Sequence, residues 1–271
     1  MLMDMLAYSF MQRALVSGIF IAVSCAGLGV FLVLRRFAMI GEGLAHVGFS
    51  AVALGLVLGV TPMTVIIPVL MVISLWILKL GEETAMYSDT AIGLVSSLAI
   101  AVGVLLASVS RGFNVDLFSY LFGSILAITS GEVWMSVILS ILVVASLRLF
   151  YHDLFATTYD EDFAKVSGVR TDRINKVLIL LTALTIALGI RVVGTLLVSS
   201  LVIFPAVTAL QLSMGFRGTL ISASVSAVIG VVTGILLSFV LNLPTGASIV
   251  LINFILFGAA YLYGRFSGRT T

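Results

Sequence analysis

Charge is scarce in this chain. Only 10% of its 271 residues are Asp, Glu, Lys or Arg, against about 25% in a typical soluble domain. A surface that faces water needs those charges, and one that faces hydrocarbon does not. With 61% hydrophobic residues and a mean hydropathy of +1.27, the deficit implies a lipid bilayer as the solvent. Cysteine is nearly absent too. The single Cys25 excludes an internal disulfide framework, and within its apolar run it reads as a small packing residue. The net charge of +2 supplies no basic field, which excludes nucleic acid as a partner. No GxxxxGK[ST] loop is present, so the chain does not bind and hydrolyse ATP in the P-loop manner. There is no arginine-rich voltage-sensing helix, and no soluble domain is encoded. No cleavable signal peptide is expected. The first apolar run, about residues 6–34, is too long for a signal h-region and lacks a basic flank, so it reads as an inserting span.

What is present is a series of long apolar runs. A spanning helix needs about 20 mainly apolar residues. Runs of that kind cover residues 8–34, 40–60, 63–80, 90–109, 117–150, 177–190, 194–212, 219–241 and 247–263. The fifth is long enough for one span plus a short helix, or for two spans with a turn at Gly131-Glu132. The expectation is an all-α polytopic transmembrane bundle of about eight to ten spans, forming one domain over residues 1–271. Continuous rather than alternating apolar runs exclude a barrel. The most polar internal stretch, residues 151–176, carries Lys165, Arg170, Arg173 and Lys176, and the positive-inside rule places it in the cytoplasm. Arg35, Arg36, Lys79, Arg148, Arg217, Arg265 and Arg269 share that side if the N-terminus is outside and the C-terminus inside. Arg13, Arg111 and Arg191 then fall outside or near an interface. Ten spans with both ends inside would strand Arg35, Arg36 and Lys79 and are disfavoured. The glycines and alanines at Gly18/Ala22/Ala26 and Gly41/Ala45 fit close helix approach or bends.

An ionisable residue inside a span is a functional candidate by default. In Gly41-Glu42-Gly43-Leu44-Ala45-His46, Glu42 and His46 are i and i+4 and share one helix face. A carboxylate and an imidazole one turn apart suit Zn²⁺, Mn²⁺ or Fe²⁺ better than Mg²⁺ or Ca²⁺. The alternatives are a structural Glu–His pair, or Glu42 paired with Arg35 or Arg36. The pair offers two ligands where Zn²⁺ takes about four. His152, beside Asp153, reads as a solvated interface residue, and Asp89 and Asp116 read as acids at helix N-termini. Residues 157–168 read as one short capped helix ended by Gly168, with Phe163, Val166 and Val169 as an apolar stripe. Such a helix docks into a partner's groove or lies on the lipid surface. In residues 194–206, Pro205 breaks the backbone pattern of an apolar helix, with Ser199-Ser200 available to satisfy or coordinate.

Several of these stretches together resemble the ABC-3 family of metal-ion permeases, the zinc, manganese and iron uptake group. They are Leu34-Arg35-Arg36 with Gly41-Glu42-Gly43-Leu44-Ala45-His46, Ser88-Asp89-Thr90-Ala91-Ile92-Gly93, and Asp116-Leu117 running into Tyr120-Leu121-Phe122-Gly123 and residues 124–127. Asp160-Glu161-Asp162-Phe163-Ala164 with Gly168-Val169, and Val193-Gly194-Thr195-Leu196-Leu197-Val198 with Pro205-Ala206, complete the set. The resemblance runs nearly end to end. It implies that Glu42 and His46 are the intramembrane metal ligands, with Glu42 standing where the family pattern commonly has Asp. It implies that Asp160, Glu161, Phe163, Ala164 and Gly168 belong to a cytoplasmic coupling segment at about residues 152–175.

The resemblance further implies a type II importer-like fold working as a homodimer in the cell (inner or cytoplasmic) membrane. Two ABC ATPase subunits would sit below it and an extracytoplasmic metal-binding protein above. The metal is cargo, Zn²⁺ first and Mn²⁺ or iron as the alternatives. No covalently bound cofactor is expected, and the chain is not an enzyme by itself. The rival classes are a proton- or sodium-driven secondary metal transporter without ATPases and a non-transporting scaffold.

Overall fold

The computed structural model describes residues 8–83, 88–109, 115–123, 128–195, 198–212 and 215–266. Arg111, Arg269 and the motif residues 124–127 and 196–197 lie outside the described residues. The described residues hold twelve helices and no strand. In chain order they are α1 (Ser9–Leu34), α2 (Ile40–Leu58), α3 (Pro62–Glu83), α4 (Ser88–Val109), α5 (Val115–Phe122), α6 (Ser130–Leu149), α7 (Tyr151–Tyr159), α8 (Glu161–Val166), α9 (Thr171–Val193), α10 (Val198–Gln211), α11 (Phe216–Leu241) and α12 (Thr245–Phe266). Hydrocarbon offers no partner for a backbone amide, so runs this apolar close their hydrogen bonds within the helix.

Eight of these helices are long and apolar enough to cross a membrane: α1, α2, α3, α4, α6, α9, α11 and α12. The expected all-α polytopic bundle is therefore found. Three helices are interior, with 72% of α1, 67% of α2 and 67% of α9 buried across their most apolar windows, and the other five are 17–39% buried. Small residues make the interior possible. Gly18, Ala22 and Ala26 are all buried within an unbroken α1, and Gly41 lies beside Ser199 and Val202 of α10. They serve close approach and not bending.

The fifth apolar run crosses once. It divides into the short α5 and the spanning α6, and the break is not at Gly131-Glu132. Thr129 caps α6: its hydroxyl accepts from the Glu132 amide at 3.3 Å, and the Glu132 carboxylate accepts from the Thr129 amide at 2.8 Å. This capping box satisfies two orphan donors at once, so Glu132 begins a helix where a turn was expected.

Contacts across the bundle fix which ends lie together. At one end, Arg35 after α1 reaches Glu161 of α8 and Asn175 of α9. Tyr151 of α7 packs edge-on against Phe216 of α11. At the opposite end, Arg13 donates to the Ile128 carbonyl just before α6, and Arg191 of α9 pairs with Glu132 at 2.5 Å. The first end carries Arg148, Lys165, Arg170, Arg173, Lys176 and Arg217, the cationic excess that the positive-inside rule expects on the cytoplasmic side.

This arrangement gives α10 a distinct role. It starts beside the outer end of α9, precedes α11 in the chain, and is shorter than the eight candidate spans. Its 14 residues reach only about 21 Å, short of a hydrocarbon core of about 30 Å. The described residues just before it, Gly194 and Thr195, pack against α5. There the Thr195 amide donates to the Tyr120 carbonyl of α5 at 2.8 Å, and such irregular backbone is tolerated where protein covers it. Gly194 makes the contact possible. Its φ is +94°, and a Cβ there would lie 2.6 Å from Gly123 N and closer still to the Leu121 carbonyl. Gly194→Ala is expected to lose about 1–3 kcal/mol to the backbone conformation alone, with the steric clash added. Thermal unfolding in nanodiscs should show a lowered Tm, and an unchanged Tm would mean that the junction is loosely packed.

Candidate metal site

The α2 helix places Glu42 in its first turn and His46 one turn further on. Glu42 Oε1 and His46 Nε2 are 3.8 Å apart. That is too long for a hydrogen bond. It is close to the spacing of roughly 3.3 Å between two ligands of one tetrahedral ion whose bonds are about 2.0–2.2 Å. A slight side-chain rotation would let both atoms hold one divalent cation.

The surroundings fix the depth of the pair. Gly48, just beyond His46, packs against Ile190, the neighbour of Arg191 at the outer end. Gly41 and Gly43, on either side of Glu42, touch Ser199 of α10 and Ile92 of α4. Glu42 and His46 thus lie between the cytoplasmic Arg35 and the outer Arg191. The Glu42 side chain is 48% exposed and that of His46 is 20% exposed. A carboxylate exposed at this depth is costly against acyl chains. Water or another protein surface suits it far better.

Among the described residues, no group of three or more His, Cys, Asp or Glu converges. The described residues thus bring together a pair and not a complete tetrahedral set. The alternative in which Arg35 neutralises Glu42 is overturned. The Arg35 guanidinium donates to Asn175 Oδ1 at 2.6 Å and to Glu161 Oε2 at 3.4 Å. Its side chain is only 7% exposed. Burial pushes its pKa down, and Glu161 offsets that shift by stabilising the charge. On its other side, Glu161 Oε1 lies 3.3 Å from Lys165 Nζ, and this contact raises the lysine's pKa.

The segment around Glu161 differs from the single helix expected over residues 157–168. Thr157 and Thr158 close α7, and Asp160 interrupts the helix with an extended backbone (φ −154°, ψ 107°). Its carboxylate accepts from the Phe163 amide at 2.9 Å and starts α8. An Asp cap competes well with helix continuation because it satisfies a first-turn donor. Gly168 ends α8 as expected, at φ +89°. Its amide bonds to the Lys165 carbonyl and that of Val169 to Ala164, the pattern of a Schellman motif. Ala164 is buried, whereas Tyr159, Phe163 and Val166 are exposed. Val169 is partly buried against the core, so the outward apolar face is Tyr159, Phe163 and Val166, without Val169.

The remaining candidates separate cleanly. Asp89 stands in the first turn of α4, exposed, and Asp116 falls within α5. His152 is exposed and edge-on to Tyr151. Pro205 lies inside an α10 that remains helical. Sequence reasoning missed Arg35 as the residue joining three elements and Arg191 as the partner of Glu132. The Thr129-x-x-Glu132 spacing was a readable signal for the cap. No local signal marks the long-range pairs.

A bundle of membrane-spanning helices, with an ionisable pair within its height and short helices displayed at its cytoplasmic end, is the build of a multi-pass permease subunit. The chain belongs to the ABC 3 transport family, whose model matches residues 7–264, and it is accordingly an ABC-transporter permease of the cell membrane. A probable metal transport system membrane protein of Treponema pallidum is 35% identical over 255 residues, covering 92% of this chain and 93% of the relative. The manganese transport system membrane protein MntC of Listeria monocytogenes is 29% identical, covering 97% and 94%. The high-affinity zinc uptake system membrane protein ZnuB of Haemophilus influenzae is 33% identical, covering 92% and 96%. Among solved structures, PsaBC from Streptococcus pneumoniae in complex with Fab superposes with a TM-score of 0.85 at 27% identity, covering 96% of this chain and 94% of that one.

Proposed function

We propose that this permease translocates a divalent transition metal, zinc first, in an ATP-driven importer, and that Glu42 and His46 are its ligands on each chain. The observation that carries this reading is the 3.8 Å Glu42–His46 pair held within the bundle's height on an accessible face. Two copies facing one another would offer two imidazoles and two carboxylates, the number of ligands that zinc takes. Such a homodimer also gives the exposed carboxylate a protein environment. Imidazole favours zinc over manganese on the Irving–Williams order. Manganese is the second reading, because relatives of similar identity are named for it.

Two ATPase subunits would receive the Tyr159, Phe163 and Val166 face, together with the capped α8 that Asp160, Glu161, Ala164 and Gly168 build. An extracytoplasmic metal-binding protein would deliver the ion at the Arg191 end. ATP binding would close the ATPases, and α8 would carry that motion through Glu161 into the spans, giving alternating access. An ion-driven secondary transporter finds no support in the family assignment.

The test is uptake of ⁶⁵Zn into proteoliposomes containing the permease, its ATPase and its binding protein. ATP-dependent accumulation is expected, with unlabelled Mn²⁺ competing only at higher concentrations than unlabelled Zn²⁺. The reverse order of competition would make manganese the cargo. No ATP-dependent uptake of either metal would remove the metal-importer reading.

A further inference from the structure

We propose that an anionic phospholipid of the cytoplasmic leaflet occupies a groove between α1, α6 and α11, with its phosphate held by Arg148 and Arg217. The groove measures about 620 Å³ and has a wall of Val23, Val144, Leu147, Ile221 and Val225 over Gly27. That volume lies within the range of about 300–1,000 Å³ typical of small-molecule sites. Gly27 creates the depth, since a Cβ there would come within 2.9 Å of Leu147 Cδ1. Ser224 also lines the groove, but its hydroxyl already donates to the Leu220 carbonyl at 2.9 Å. The interior thus offers a polar ligand only the Ser224 oxygen as an acceptor and suits a hydrocarbon chain.

The mouth has the opposite character. Arg148, Tyr151, His152 and Arg217 line its cytoplasmic rim. Arg217 lies over the Tyr151 ring, 5.4 Å from its centre, a contact that orients the guanidinium without neutralising it. Among the described residues, Arg35 and Arg191 are ion-paired and Arg13 donates to the Ile128 carbonyl, whereas neither Arg148 nor Arg217 has a carboxylate partner. Asp153 does not line the groove.

Two arginines with no carboxylate partner among the described residues, beside an apolar slot, match the two halves of one phospholipid. Guanidinium forks bind phosphate oxygens, and basic pockets between spans on the cytoplasmic side collect anionic headgroups. Both α6 and α11 pack chiefly on α1, and neither Glu42 nor His46 lines the groove.

Native mass spectrometry of the permease–ATPase complex, released from nanodiscs of equal phosphatidylglycerol and phosphatidylethanolamine, tests the assignment. Phosphatidylglycerol should be retained preferentially. The R148Q/R217Q variant should retain about thirtyfold less of it while the complex stays assembled. Ser224→Phe, which fills the slot and keeps both arginines, should also lose it. Equal retention of the two lipids by the unaltered complex overturns the proposal. So does undiminished phosphatidylglycerol in an assembled R148Q/R217Q complex. A third overturning result is loss of the ATPase from that variant with lipid retained, which would give the arginines to carboxylates of the partner.

Discussion

Glu42→Ala and His46→Ala should each abolish metal accumulation in the reconstituted importer, while the permease still assembles with its ATPase. Removing an outer-shell group that merely orients a ligand costs about 10–100-fold in metal affinity, and removing a ligand itself should cost at least that. Neither change disturbs the fold. Both residues are only partly buried, and their 3.8 Å contact is not a hydrogen bond, so no buried partner is orphaned. Glu42→Asp should keep transport, because a carboxylate remains, but shift the balance between zinc and manganese as the ligand atom withdraws by one methylene. Tracer uptake at equal protein incorporation decides the matter. If both alanine variants transport at the unaltered rate, the pair is structural and the cargo crosses elsewhere.

The second large effect is expected at Arg35. Its guanidinium joins three elements: the end of α1, the cytoplasmic α8 through Glu161, and α9 through Asn175. Arg35→Ala cuts that junction a few residues before Glu42. ATP hydrolysis by the assembled complex should persist while uptake falls by roughly 5–150-fold, the range of an ordinary coupling free energy. Glu161→Ala should uncouple as well and also destabilise, because it leaves a buried cation without its carboxylate. Breaking a fully buried pair costs about 3–5 kcal/mol, and the cost here is smaller because Glu161 is 38% exposed. Lys165→Ala removes only the exposed side of the cluster and should leave the uptake-to-hydrolysis ratio unchanged. If Arg35→Ala lowers uptake and hydrolysis in equal proportion, the residue supports assembly and does not transmit motion.

How much of this was legible in the sequence depends on distance along the chain. The spans were readable because solvent preference is summed over about twenty residues. Glu42 and His46 were readable because helical spacing alone puts them on one face. The clustering of arginine and lysine toward one end of the bundle was readable as well, since the polar stretch that carries most of it is local. Local competition was harder to judge: Asp160 won as a cap and split the expected helix, and Thr129 and Glu132 began a helix where a turn was expected. Arg35–Glu161 and Glu132–Arg191 lie 126 and 59 residues apart. Nothing in either neighbourhood announces its partner, so only the packed bundle reveals them.

The shortness of α10 bears on how the protein is made. A segment of 14 residues buries too little apolar length to leave the translocon for lipid as firmly as its neighbours do. What places it is the topology of the two helices that follow. Arg217 at the start of α11 and Arg265 near the end of α12 hold that hairpin in one orientation. With α9 held by Arg191 at the other end, α10 is left to join the two. On this topology rule its placement depends on residues that follow it in the chain. The basic residues that follow α10 in the chain serve as instructions for a helix that carries none.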